Sequence, residues 1–173
     1  MRSIAATQTS ARTGTGRDDW QTPECALDRV RKVAPIRLDP CSSGDDLVGA
    51  YHSCTEGGIE FSWSDFMHTG LQSLWGLVYV NPPYSHASEW AAKVAGEASQ
   101  KIEIVSLVPA RPDARWFYRL AWDTAQAICF WKGRLRFVGA PSSAPFPSAF
   151  VYHGERPWAF EAAFHDAGKV VRL

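Results

Sequence analysis

The 173-residue chain predicts an α/β domain with a mostly parallel central sheet, an antiparallel end and flanking helices. Three observations carry that expectation. Leu74 to Val80 (Leu-Trp-Gly-Leu-Val-Tyr-Val) is an apolar run of strand length, and Lys101 to Val108 alternates and then turns apolar, so both read as buried strands. Between them Trp90, Val94 and Ala98 recur at helical spacing, with Glu89 and Lys93 on another face. Strand, helix, strand implies a right-handed parallel crossover. Farther on, Ala127 to Val138 and Ser148 to His153 read as strands with no helix between them, which suggests an antiparallel end to the sheet.

Taken in order, Met1 to Arg17 is rich in Ser, Thr, Ala and Gly, carries three arginines and has no periodicity, so it reads as a mobile tail before one domain that runs to Leu173. In Trp20-Gln21-Thr22-Pro23-Glu24, a threonine, a proline and an acid in succession signal a helix start. That helix runs from Pro23 to Val33 on Ala26, Leu27, Val30 and Val33. Pro35 ends it. Ile36 to Leu38 is a short strand that opens into the polar loop Asp39-Pro40-Cys41-Ser42-Ser43-Gly44. From Leu47 to Phe66 the glycines at 49, 57 and 58 break the apolar pieces into a strand or two, with Asp65 at a strand end.

The amphipathic helix spans Ser85 to Gln100, and Pro109 stops the strand after it. Pro112 to Thr124 reads as a helix on Trp116, Phe117, Leu120 and Ala121, with Arg111, Arg115 and Arg119 at four-residue steps and therefore pointing one way. Lys132, Arg134 and Arg136 alternate along the next strand and face one side, while Trp131 and Phe137 pack inward. Arg156 to Asp166 is a short helix, and Lys169 to Leu173 a terminal strand.

Eighteen basic and eighteen acidic residues cancel, so no global field draws the chain to nucleic acid or membrane, but the placement is uneven. Between Leu38 and Trp75 there are six acids and no Lys or Arg; from Arg111 to Arg136 there are six bases against Asp113 and Asp123. One stretch suits a cation, the other a polyanion. Cys25, Cys41, Cys54 and Cys129 show no zinc-ligand spacing, which predicts reduced thiols, no metal and a cytoplasmic setting. No segment approaches the roughly 20 apolar residues of a membrane span. The oligomeric state is not set by the sequence, and a monomer is the simplest expectation.

Asn81-Pro82-Pro83-Tyr84 follows the first buried strand directly, and its two prolines cannot continue the ladder. Asn81 and Tyr84 therefore sit at a strand's C-terminal end, where open α/β sheets bind ligands. These residue types suit methylation of a planar amino group, whose lone pair is delocalised and a poor nucleophile. The Asn81 side-chain oxygen and the Pro82 carbonyl can each accept an amino hydrogen, favouring a pyramidal nitrogen that faces an electrophilic methyl. Pro82 and Pro83 hold those acceptors rigidly and add no competing N–H. Tyr84 offers a face on which a flipped base can stack, worth about 1–3 kcal/mol.

Seven blocks carry a resemblance over most of the chain: Trp20-Gln21-Thr22-Pro23, Leu38-Asp39-Pro40, Ser64-Asp65-Phe66, Val80 to Ser85, Leu107-Val108-Pro109-Ala110, Gly133-Arg134-Leu135-Arg136-Phe137 and Pro145-Phe146-Pro147-Ser148. In these the chain resembles the phage-type, Dam-like DNA adenine-N6 methyltransferases, which use S-adenosylmethionine. The resemblance implies a Rossmann-like methyltransferase fold, a DNA substrate whose adenine is flipped out, and catalysis at Asn81, Pro82, Pro83 and Tyr84. It implies that Trp20, Thr22, Pro23, Asp39, Pro40 and Cys41 hold the cofactor, with Asp65 near its adenine amino group. The acid-only span suits the cofactor's sulfonium and ammonium. Arg111, Arg115, Lys132, Arg134 and Arg136 are the candidates for DNA phosphate.

One departure stands out. Many methyltransferases have closely spaced glycines after the first strand, and here none precedes Gly44. Cys41 after Pro40 is superficially similar to the Pro-Cys nucleophile of cytosine-C5 methyltransferases, but it lies on the strand assigned to the cofactor. The same acceptor geometry would serve cytosine N4, guanine N2 in RNA or a glutamine amide, the last disfavoured without a glycine-rich loop. A catalytically silent nucleic-acid-binding protein of the same fold is the rival from another class.

Overall fold

The computed structural model describes residues 20–44, 47–68 and 75–173. The predicted tail, Asp45, Asp46 and Leu74 lie outside them. Helix α1 (Glu24–Val33) starts after Pro23, whose extended backbone serves as its N-cap, and buries Ala26, Leu27, Val30 and Val33. Ala34 leaves it in an extended conformation, as the residue before a proline prefers. Then come β1 (Ile36–Asp39), β2 (His52–Ser53), α2 (Trp63–His68) and β3 (Leu77–Val80). A 3-10 turn at Tyr84–His86 leads into α3 (Ala87–Ala98) and β4 (Ile104–Pro109). The chain closes with α4 (Arg115–Phe117, continued by a π-helical turn at Tyr118–Trp122), β5 (Ala127–Trp131), β6 (Ser148–His153), α5 (Pro157–Phe164) and β7 (Gly168–Arg172).

The strands form one sheet in the order β2-β1-β3-β4-β6-β5-β7. The first four are parallel, with Val78 opposite Ile104 across the β3–β4 crossover; β6, β5 and β7 complete the antiparallel end. Alternation along the strands divides the core into two layers. Leu77, Tyr79, Val105, Leu107, Phe150 and Tyr152 pack under α1 and α5. Val78, Val80, Ile104, Val108, Ala149 and Val151 pack under α2, α3 and α4. Among the described residues no helix is long and apolar enough to cross a membrane.

Three expectations fail, each for a local reason. Asp65 stands in the first turn of α2, exposed, and not at a strand end. The Ser62 hydroxyl accepts from Asp65 N at 3.1 Å, an N-cap bond, and the buried Glu97 of α3 accepts from Trp63 N at 3.0 Å and Ser64 N at 2.9 Å. A cap supplied from another helix secures a helix start that glycine punctuation hides. Arg111 does not share a helix with Arg115 and Arg119, because Ala114 is extended and α4 begins only at Arg115. The turn after it is widened to π geometry, with Asp123 N reaching Tyr118 O at 3.0 Å. Lys132, Arg134 and Arg136 are not on a strand. β5 stops at Trp131, and Gly133 turns the chain at φ +79°. Beyond it the alternation persists without a strand, Arg134 and Arg136 exposed and Leu135 and Phe137 each 2% exposed.

Candidate active site

Parallel pairing of β1 with β3 sets their C-terminal ends side by side. The chain leaves β1 toward β2 on one side, and β3 lies on the other, so the sheet order reverses here and a crevice opens. The cleft opens to solvent, with Trp20, Thr22, Asp39, Cys41, Tyr79 and Asn81 in its wall.

Asp39 is 3% exposed, and its carboxylate accepts from Cys41 N at 3.1 Å. The loop behind it is stitched to the chain after β2, where Cys54 N donates to Asp39 O at 2.8 Å and Ser42 N to Cys54 O at 2.9 Å. Gly58 backs the same turn so closely that a Cβ there would lie 1.6 Å from the Pro40 carbonyl oxygen, leaving glycine as the residue that fits. Burial pushes the Asp39 carboxyl up to about 6, against the opposing pull of the Cys41 N–H. Among the described residues that line the cleft there is no Lys or Arg to offset that charge. Burial, then the Asp39 charge, push the Cys41 thiol well above its usual range, which favours the neutral thiol over the nucleophilic thiolate.

Asn81 is held on both sides. Its Nδ2 donates to the Trp20 carbonyl and to Thr22 Oγ1 at 3.2 Å, and its Oδ1 accepts from the Tyr84 hydroxyl at 3.0 Å. Thr22 Oγ1 in turn lies 2.7 Å from the Tyr79 hydroxyl. Burial raises both phenols well above their usual range, so each keeps its proton. The Tyr84 ring meets Phe146 edge-on at 5.4 Å, Phe146 meets Trp20 edge-on at 5.8 Å, and Trp20 lies 5.0 Å from Phe137. Backbone bonds secure these pieces: Val138 N to Gln21 O at 2.9 Å and Ala110 N to Pro147 O at 2.8 Å.

A buried acid and a positioned carboxamide at neighbouring strand ends are the two features that the motif blocks lead one to expect. The family model described as Dam, DNA N-6-adenine-methyltransferase, matches residues 9–150. The chain belongs to the Dam family. The match takes in Trp20, Asp39, Asn81 to Tyr84 and the loop carrying Phe146, and it ends within β6, before α5 and β7. Comparison with curated proteins gives no match.

Seen as a Dam-family site, Trp20, Thr22, Asp39, Cys41 and Asn81 come together in one cleft, and Tyr84 joins them through its bond to Asn81. The four prolines each make contacts that hold the backbone around the cleft. Pro23 accepts the first bond of α1, Pro40 is buried under Gly58, and the Pro83 carbonyl accepts from His86 N at 3.0 Å in the 3-10 turn. Pro82 is buried and lines a second, apolar crevice with Trp90, Ala91 and Val94. Asp65 is not among the residues of the cleft. Arg111, Arg115, Lys132, Arg134 and Arg136 are exposed, and none forms an ion pair among the described residues, whereas Arg29, Arg31, Arg156 and Arg172 all do.

Sequence reasoning misses two participants. Tyr79 reads only as strand core, yet a period of two puts it on the same face as Asn81. Phe146 enters the sequence reading only within the block Pro145-Phe146-Pro147-Ser148, without a role of its own; an aromatic residue held between two prolines in a loop is the signal for one.

Proposed function

We propose that the protein transfers a methyl group from S-adenosylmethionine to the N6 amino group of adenine in DNA, with the base flipped out to reach Asn81. It would act as a phage-type enzyme in the cytoplasm of a bacterial host. The observation that carries this reading is the Asn81 carboxamide, a residue of the cleft wall: its nitrogen is bonded to the Trp20 carbonyl and Thr22 Oγ1, so its oxygen is left as the acceptor, in a cleft that also holds the buried Asp39.

The residues of the cleft fit the cofactor. Asp39 complements a sulfonium and an ammonium, Trp20, Leu47 and Val48 offer apolar surface, and Thr22, Ser42 and Ser43 offer hydroxyls. When bound, S-adenosylmethionine supplies an electrophilic methyl. Asn81 Oδ1 accepts one amino hydrogen of the base and the Pro82 carbonyl a second, which localises the nitrogen lone pair without a strong base. The Tyr84 hydroxyl shares Oδ1, which has a second lone pair for the incoming hydrogen. Arg111, Arg115, Lys132, Arg134 and Arg136, free of internal ion pairs among the described residues, support phosphate contact.

The test is direct. Incubation with labelled S-adenosylmethionine and unmethylated DNA, followed by nucleoside mass spectrometry, is expected to give N6-methyladenine. N4-methylcytosine would move the activity to another base, product only with RNA would move it to another polymer, and no product with no cofactor binding would sink catalysis.

A further inference from the structure

Thr22 is 4% exposed and stands between two functional groups of one strand face. Tyr79 and Asn81 are two residues apart, so their side chains leave the same side of the sheet. Thr22 Oγ1 bridges them from a different segment, 2.7 Å from the Tyr79 hydroxyl and 3.2 Å from Asn81 Nδ2. The residue beside it in sequence is Pro23, which limits the Thr22 backbone to extended conformations, and α1 anchors the segment by burying its apolar stripe in the core.

A carboxamide has nearly the same shape in its two flipped orientations, but opposite chemistry. With Oδ1 outward it accepts an amino hydrogen; with Nδ2 outward it presents hydrogens to hydrogens. The Trp20 carbonyl, which can only accept, takes one Nδ2 hydrogen, and Thr22 Oγ1 takes the other, acting as an acceptor when its own hydrogen goes to the Tyr79 hydroxyl, while Oδ1 faces the Tyr84 hydroxyl. The Tyr79 hydroxyl has Thr22 as its hydrogen-bond partner and fixes the position of that Oγ1. We propose that Thr22, held by Tyr79, is a positioning residue that fixes the orientation of the Asn81 carboxamide for methyl transfer. This goes beyond the cofactor role that the motif blocks imply for Thr22, and it rests on the methyltransferase reading above.

Thr22→Val removes the hydroxyl at nearly constant shape, and Thr22→Ser keeps it. At saturating cofactor and DNA, Thr22→Val is expected to lower kcat about tenfold or more, with the Kd for S-adenosylmethionine within about twofold of wild type by calorimetry. Thr22→Ser should restore kcat to within about threefold. In an Asn81→Ala background, Thr22→Val should cost little further, because the group it positions is gone. An unchanged kcat in Thr22→Val, a loss confined to cofactor affinity, or a Thr22→Ser protein as slow as Thr22→Val would each overturn the proposal. If Thr22→Val does not fold, as judged by thermal unfolding, Tyr79→Phe replaces it. A kcat loss there with intact cofactor affinity supports the proposal, and wild-type kcat overturns it. Wild-type protein that forms no N6-methyladenine refutes the parent reading, whereas an active wild type with an unaffected Thr22→Val refutes this inference alone.

Discussion

Asp39 and Asn81 end adjacent strands on the same edge of the sheet, yet they are held in opposite ways. The Asp39 carboxylate is buried with only Cys41, through its backbone N–H and its thiol, hydrogen-bonded to it among the described residues, and with no base among the described residues of its cleft. The Asn81 carboxamide uses its nitrogen on two acceptors and its oxygen on one donor, and two prolines follow it. One end keeps a charge under-compensated; the other keeps a neutral dipole pinned at both its nitrogen and its oxygen, with one acceptor lone pair left over. An under-compensated charge favours an arriving cation, because the ligand restores what burial removed. A pinned dipole need not reorganise during reaction, which is where electrostatic catalysis gains most.

The contrast breaks most visibly at Asn81. Asn81→Ala should lower turnover by about 10²-fold or more, with cofactor affinity nearly intact. Steady-state kinetics beside calorimetry decides it, and equal losses in both would make Asn81 structural. Asp39→Asn should do the reverse, weakening cofactor binding by about tenfold or more while turnover at saturation survives. The same substitution should stabilise the empty protein. The Asp39 carboxyl is raised from 3.8 to about 6 in the fold, so folding favours its protonated form. Its contribution is fully present below the unfolded value and is lost as pH rises through about 6. At pH 8 the ionised acid then costs up to about 3 kcal/mol, a cost that a neutral carboxamide at this position would not carry. Thermal unfolding without cofactor at pH 8 and at pH 4 measures it: Asp39→Asn should raise Tm at pH 8 and change little at pH 4. Cofactor affinity of the wild type should weaken below pH 6, by up to about tenfold per unit.

Both strand ends are legible in the sequence because each joins an apolar run to a proline, a combination that local chemistry controls. β6 is legible for the same reason, its span set by Pro147 before it and Gly154 after it. What fails depends on distant partners or on one backbone angle. Glu97 caps α2 from 33 and 34 residues away, which no local pattern announces, although Ser62-Trp63-Ser64-Asp65 carries half of the signal. Alternation of Arg134, Leu135, Arg136 and Phe137 looks the same in a strand and in an extended segment, and only the positive φ of Gly133 separates them. The roles of Thr22 and Tyr79 are hidden because their bond joins positions 57 residues apart.

Beyond the two strand ends, the exposed basic residues extend the contrast to the protein surface. Arg134 and Arg136 project from a segment whose alternate residues are core, so their backbone is fixed while their side chains are unpaired among the described residues. Replacing both with Ala should lower DNA affinity about tenfold at moderate salt and reduce the slope of log affinity against log salt by about two. Fluorescence anisotropy across a salt series measures both quantities. Cofactor affinity should not move, and an unchanged slope would remove these two arginines from the DNA interface.

Tyr84→Phe should have the smallest effect, and it asks which part of Tyr84 belongs to the rigid end. The hydroxyl donates to Asn81 Oδ1, the same oxygen proposed to accept the substrate's amino hydrogen, while the ring packs edge-on against Phe146. Removing the hydroxyl forfeits one bond worth about 1 kcal/mol but also clears the acceptor, so the two consequences oppose each other. Turnover should therefore change by less than about threefold, and Tyr84→Ala, which also removes the stacking face, should weaken DNA binding by about tenfold. A Tyr84→Phe loss as large as that of Asn81→Ala would place the hydroxyl inside the positioning network. The carboxamide would then depend on three side chains, Thr22, Tyr79 and Tyr84, and not on the inward pair alone.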